Sequence, residues 1–102
     1  MGVLMYLKIH KIGNETIVAA CDKEHIGKVL RKGALTLDLD KYRSFYIGEP
    51  CEEKALEYAL SDCTSANLVG KKSVGVALLL KLASEASVLK FGEVPHLQLY
   101  KF

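Results

Sequence analysis

The sequence predicts an α+β fold, and three stretches of its 102 residues predict it. Near the N-terminus, Val3, Met5, Leu7 and Ile9 alternate with Leu4, Tyr6, Lys8 and His10, the period-2 pattern of a strand. Leu56, Ala59, Leu60 and Cys63 fall at i, i+3, i+4 and i+7, one apolar stripe, so residues 50–62 read as an amphipathic helix. Residues 71–84 are apolar on nearly every side, broken mainly by Lys81, as in a helix that sits centrally or meets another subunit. The expected architecture is one compact domain over residues 1–102. An N-terminal β-hairpin and further strands form a mostly antiparallel or mixed sheet, with two main helices, about 50–62 and 71–84.

The elements follow in order. Gly13-Asn14 is a two-residue hairpin signal, and Thr16–Cys21 is β-branched and small. Direct closure sets Ile12 opposite Glu15, His10 opposite Ile17, Lys8 opposite Ala19 and Tyr6 opposite Cys21. The other face then pairs Ile9 with Val18 and Leu7 with Ala20, and this is the expected core side. Asp22 reads as the N-cap of a short helical turn and Gly27 as its stop. Leu35, Leu37 and Leu39 alternate with polar residues in a half-exposed strand. KYRSFYIG (41–48) reads as a loop folding Phe45 and Ile47 onto the core. Pro50 at a first helical position, with Glu52 and Glu53 behind it, starts the first main helix. Ala66–Val69 is an entry segment, Gly70 a turn, and Lys71-Lys72 the exposed first turn of the second helix. Ser87–Phe91 and His96–Phe102 close the chain as two strands around Gly92-Glu93, with Pro95 suited to a strand start.

Bulk composition narrows the class. Half the residues are hydrophobic and a quarter charged, which is ordinary for a globular domain. A chain of this size buries roughly 65% of its unfolded surface, enough to fold without staples. The longest oily run, Val74–Leu80, is too short to span a bilayer. The N-terminus lacks a charged leader and a cleavage motif, and Tyr6 stands where myristoylation wants Ser or Thr, so a cytoplasmic location and no membrane partner are expected. Cys21, Cys51 and Cys63 are an odd number without CxxC pairing, which points to reduced thiols used as small hydrophobes. Net charge is only +2, but it is unevenly spread: residues 1–48 carry 8 basic and 5 acidic groups, 49–69 carry 1 and 5, and 70–102 carry 5 and 2.

Four features carry chemistry. In SANLVGKKSV (65–74), Gly70-Lys71-Lys72-Ser73 resembles the tail of a phosphate loop. The Walker A pattern fails, because Ser65 stands at its first glycine and Lys72 at its Ser/Thr. An anion at the helix start would still reverse the unfavourable placement of two cations there. Otherwise both lysines are simply solvated. KYRSFYIG interleaves cations with aromatics, the composition that stacks bases and grips their backbone, without matching RNP1. The Tyr6-Lys8-His10 face is a similar candidate, solvated or partly covered. His10, His25 and His96 are scattered, with no zinc-finger spacing and no HExxH, so no metal is expected. No acid/base pair or activated thiol stands out, no catalytic residue is assigned, and no cofactor is expected.

MYLKIHKIGNETIVAACDKEHIGK near the start, ANLVG in the middle and GEVPH near the end together resemble the archaeal family filed as "domain of unknown function 424". The resemblance runs from Met5 to about residue 100 and rests on three ordered blocks, none of them a chemical motif. It implies a stand-alone domain without established enzymatic activity and an RNA-binding, translation-linked role. The family-like residues are Asp22, Gly27, Lys28, Asn67, Gly70, Pro95 and His96. The residue after the ANLVG glycine is acidic or variable in that family, so Lys71-Lys72 is a departure from it.

The first functional expectation is a non-catalytic module that binds RNA or ribonucleoprotein. Its candidate contacts are Tyr6, Lys8, His10, Lys28, Tyr42, Arg43, Asn67, Gly70, Lys71, Lys72 and His96. A second is an enzyme or small-ligand protein with an anion site near Asn67, Gly70, Lys71 and His96. A third makes the 71–84 helix a partner-binding or self-associating element.

Overall fold

The structure is a computed structural model that describes residues 4–101. β1 (Met5–Ile12) and β2 (Glu15–Asp22) form the expected hairpin, with every predicted pair, from Ile12 opposite Glu15 to Tyr6 opposite Cys21, in register. Gly13 supplies a φ of +60° at the first central position of the turn, where a II′ hairpin reserves a glycine. After a short 3-10 turn at Lys23–His25, β3 (Val29–Lys32) and β4 (Leu35–Asp38) pair as a separate two-stranded hairpin. Next come α1 (Arg43–Tyr46), β5 (Glu49–Cys51), α2 (Glu53–Leu60), β6 (Ser65–Val69) and α3 (Lys71–Leu79). The chain closes with β7 (Leu89–Phe91) and β8 (Val94–Tyr100).

The main sheet has the order β5-β1-β2-β6-β8-β7, and it is mixed: β2 and β6 run parallel while the other neighbours are antiparallel. Register puts Val18, Ala66 and Leu99 in one row and Ala20, Leu68 and Leu97 in the next, all on one face. Helices α2 and α3 cover that face, and Leu56, Leu60, Val74 and Ala77 complete the core with Met5. Each fully buried leucine here contributes about 1.5–3 kcal/mol. The opposite face carries Ala19, Cys21 and Val69, roofed by Leu39 and Tyr46 from the β4–α1 segment. The sheet is thus the middle of three layers.

Several boundaries differ from the sequence reading, each for a physical reason. The first main helix begins at Glu53, not Pro50, because Pro50 lies in the short edge strand β5 opposite Tyr6, a place where its missing N–H costs little. Ala66–Val69 is not an entry segment but the central strand β6. Covered on both faces, it lacks the alternation that marks a half-exposed strand. The 41–48 stretch contains one helical turn; Phe45 packs half-buried on the core as expected, but the fully buried residue is Tyr46 and Ile47 stays exposed.

The second main helix stops at Leu79 instead of running to 84. Lys81 takes φ +62°, Leu82 N donates to Ala77 O and Lys81 N to Leu78 O, both at 3.0 Å. That is a Schellman stop with a lysine at the position that favours glycine. The last strands are Leu89–Phe91, shorter than the expected Ser87–Phe91, and Val94–Tyr100, which begins two residues before the expected His96. Phe102 and the Met1–Val3 segment lie outside the described residues.

Candidate functional site

α3 begins without a capping side chain of its own, since Gly70 precedes it. The first-turn amides are satisfied from across the sheet. The Asp22 carboxylate, 1% exposed, accepts from the amides of Lys72 and Ser73 at 2.9 Å each and from Ser73 Oγ at 2.7 Å. Asp22 therefore does not cap the turn that follows it, as the sequence suggested. Its side chain makes no bond there and serves α3, fifty residues on. A negative charge does sit at this helix start, and it belongs to the chain. Gly70 has φ +106°, and a Cβ on it would overlap the Asp22 side chain, so this glycine is required twice over. Lys71 and Lys72 project outward, exposed, and Lys71 Nζ lies 3.8 Å from a Glu93 carboxylate oxygen.

On the opposite face, α1 lies against β1. Lys8 Nζ donates to Ser44 O at 2.8 Å, His10 Nε2 meets Phe45 O at 2.9 Å, and the His10 and Phe45 rings stack at 4.5 Å. Gly48 permits this approach, because a Cβ there would strike the backbone at Leu7 and Lys8. The Tyr6-Lys8-His10 face is thus the bed of α1, with Tyr6 half-buried beside Pro50.

The same α1 walls a cavity of about 400 Å3 lined by Leu37, Asp38, Tyr42, Phe45, Tyr46, Asn67 and Gln98. Asn67 on β6 and Gln98 on β8 face each other in register, and Gln98 Nε2 donates to Asn67 Oδ1 at 3.0 Å. This bond leaves hydrogen-bonding capacity on both amides, an N–H donor on one and a carbonyl acceptor on the other. Asp38 Oδ1 accepts from the Asp40 and Lys41 amides at 3.1 and 2.8 Å, which fixes the turn that presents Tyr42. Tyr42 is 54% exposed, with Lys41 Nζ 5.5 Å above its ring, and Arg43 is paired to Asp40 at 2.7 Å. Tyr46, at the floor, has its hydroxyl pKa pushed up to about 12 by burial and then by Cys21, so it stays a neutral phenol.

The remaining candidates stand elsewhere. Lys28 is exposed at the entry to the small hairpin, bonded through its backbone to His25 and Leu39. His96 on β8 lies beside Phe91; burial lowers its pKa, and its Nε2 has no hydrogen-bond partner. Tyr42 and Asn67 are thus the predicted residues that the cavity unites, while Gly70, Lys71 and Lys72 belong to the α3 start. Gln98 and Phe45 were missed as site residues. The signal for Gln98 was a polar residue between Leu97 and Leu99 on a strand whose partner carries Asn67. Cys21 and Cys63 are buried and Cys51 is half-buried: burial pushes the Cys21 thiol up to about 12, with Asp22 and Glu24 adding to it, and raises Cys51 and Cys63, which disfavours the reactive thiolate.

The model of a protein family of unknown function, DUF424, matches residues 10–102. The chain belongs to the DUF424 family. The crystal structure of an uncharacterized conserved protein from Methanopyrus kandleri is similar to this DUF424 chain, with 28% identity and a TM-score of 0.75 over 94% of this chain and 90% of that one. No curated protein matches the sequence. The family and the fold are thereby shown, and neither comparison carries a stated activity. No helix among the described residues is long and apolar enough to cross a membrane.

Proposed function

We propose that this DUF424 protein binds single-stranded RNA, without catalysis, through the cavity between α1 and strands β6 and β8. The observation that carries this reading is the meeting of an exposed aromatic ring, Tyr42, with the paired amides of Asn67 and Gln98 in one apolar cavity. Unpaired bases are held by stacking on aromatic rings and by hydrogen bonds to their edges, and an amide pair with one donor and one acceptor suits a base edge. Each of the four bases offers such a pair, so no sequence preference is built in. Lys41, over the ring, and Arg43, next to Tyr42 in the chain and paired to Asp40, supply charge for the phosphates. One face of Phe45 is taken by His10, which leaves Tyr42 as the stacking platform.

Titration of a single-stranded oligoribonucleotide into isotope-labelled protein tests the location. The side-chain amides of Asn67 and Gln98 and the backbone of α1 shift together if the cavity is used. Shifts confined to the start of α3 would instead support an anion site at Lys71 and Lys72. The translation-linked, ribonucleoprotein setting implied by the family resemblance is part of the same proposal. Purification from the native host at low salt, with sequencing of the RNA that travels along, identifies it.

A further inference from the structure

A second cavity, of about 250 Å3, opens where the parallel strands β2 and β6 end, and is lined by Asp22, Glu24, His25, Lys71, Lys72, Glu93 and Val94. The chain leaves β2 toward one face of the sheet, into the small hairpin, and leaves β6 toward the other, into α3. Crevices beyond the carboxyl ends of parallel strands whose connections diverge in this way are where open α/β sheets place ligands.

We propose that this cavity binds a divalent transition-metal ion through Asp22, Glu24 and His25. One ligand atom from each of the three lies within 4.8 Å of the others, as a shared ion requires. The 3-10 turn at Lys23–His25 produces this cluster by folding two residues back beside the last residue of β2. His25 Nδ1 is shielded from solvent and has no hydrogen-bond partner, an unmet group that metal coordination would satisfy. Asp22 is pre-oriented by its three hydrogen bonds from the first turn of α3, the kind of outer-shell support that ligating carboxylates receive. Those bonds leave lone pairs on the carboxylate. A mixed set of one imidazole and two carboxylates suits Mn2+, Fe2+, Co2+ or Zn2+; Ca2+ and Mg2+ prefer oxygen alone. Glu24 is exposed, which leaves the ion open to water and to an exchangeable ligand.

Lys71 and Lys72 line the same cavity, and this sets the sign of the decisive test. A cation bound by the carboxylates is opposed by the lysines, whereas an anion bound there would depend on them.

Mn2+ is the first probe, because its unpaired electrons broaden nearby NMR signals without any variant. The His25 ring and the Asp22 and Glu24 amides should broaden at sub-stoichiometric Mn2+, before the rings of His10 and His96. Zn2+ is the second, measured by calorimetry on the whole protein. Glu24→Gln and His25→Asn should each weaken binding about tenfold or more, with the metal-free melting temperature unchanged in Glu24→Gln. The Lys71→Gln/Lys72→Gln protein should bind about two- to fivefold more tightly. The proposal is overturned if neither ion binds at about 1 mM. It is equally overturned if Mn2+ broadening centres on another histidine, if both ligand variants bind normally, or if removing the lysines abolishes binding.

Discussion

The carboxylate of Asp22, at the end of β2, stands in the space that a side chain on Gly70 would need, and from there it holds the first turn of α3. Two blocks far apart in sequence are thereby made dependent on each other. Gly70→Ala should destabilise the fold by about 3 kcal/mol or more, from strained backbone and overlap together. Asp22→Ala should cost about 2–4 kcal/mol, since it removes a cap and charge-assisted bonds to buried donors. The two are coupled: in the Asp22→Ala background the overlap with the carboxylate is gone and only the contact with the Cβ of residue 22 remains, so the second substitution should cost less than it does alone. Urea unfolding of the single and double variants measures the difference. Strict additivity would contradict the relationship.

Lys81 offers the opposite case, a position where the native residue is not the best one. Its φ of +62° closes the Schellman stop of α3, and a left-handed lysine costs more than a glycine would. Lys81→Gly should raise stability by about 0.5–1 kcal/mol, or roughly 2–8 °C in melting temperature for a domain of this size. A lower melting temperature would show that the lysine side chain has a compensating contact.

How much of this was legible in the sequence follows the type of pattern involved. The β1–β2 register was readable residue by residue, because a two-residue turn leaves only one alignment and alternation confirms it. The stripe Leu56, Ala59, Leu60 and Cys63 was equally plain, and all four are buried. β6 was not, because a strand covered on both faces has no period of its own. The role of Asp22 was half-visible: a helix starting with glycine and two lysines lacks a cap, so its amides must find an acceptor elsewhere. Which acceptor they find depends on β2 and β6 lying parallel, and that is long-range information. The site shows the same limit. Tyr42 stood out by residue type and Asn67 through the family resemblance, while Gln98 joins them only through the β6–β8 register.

His96 gives the pH dependence a definite sign. Burial lowers its pKa from the ordinary value of 6.5, so the unfolded chain binds a proton that the folded one resists. Above 6.5 both states are neutral at this site and nothing is lost. As pH falls through 6.5, the unfolded state takes up the proton first and stability declines. His96→Leu should flatten that decline in urea titrations below pH 6.5. An unchanged slope would assign the loss to other groups.

The two buried thiols, Cys21 and Cys63, should be silent in the native protein. With Cys21 at about 12 and Cys63 also raised, both by burial first, iodoacetamide at about pH 8 should leave them unmodified until urea unfolds the chain. Rapid native labelling of Cys21 would mean that the β2 end opens readily.

The central claim is that the cavity beside α1 holds an RNA base on Tyr42, and affinity for a single-stranded oligoribonucleotide at about 50 mM salt tests it most directly. Wild type should bind with log K falling with log salt at a slope of roughly −1.4, the value for about two phosphate contacts to a single strand, those of Lys41 and Arg43. Tyr42→Ala should lose about 5- to 150-fold in affinity, the range for one stacked base, at an unchanged salt slope. No binding by the wild-type protein, or equal binding by Tyr42→Ala, would contradict it.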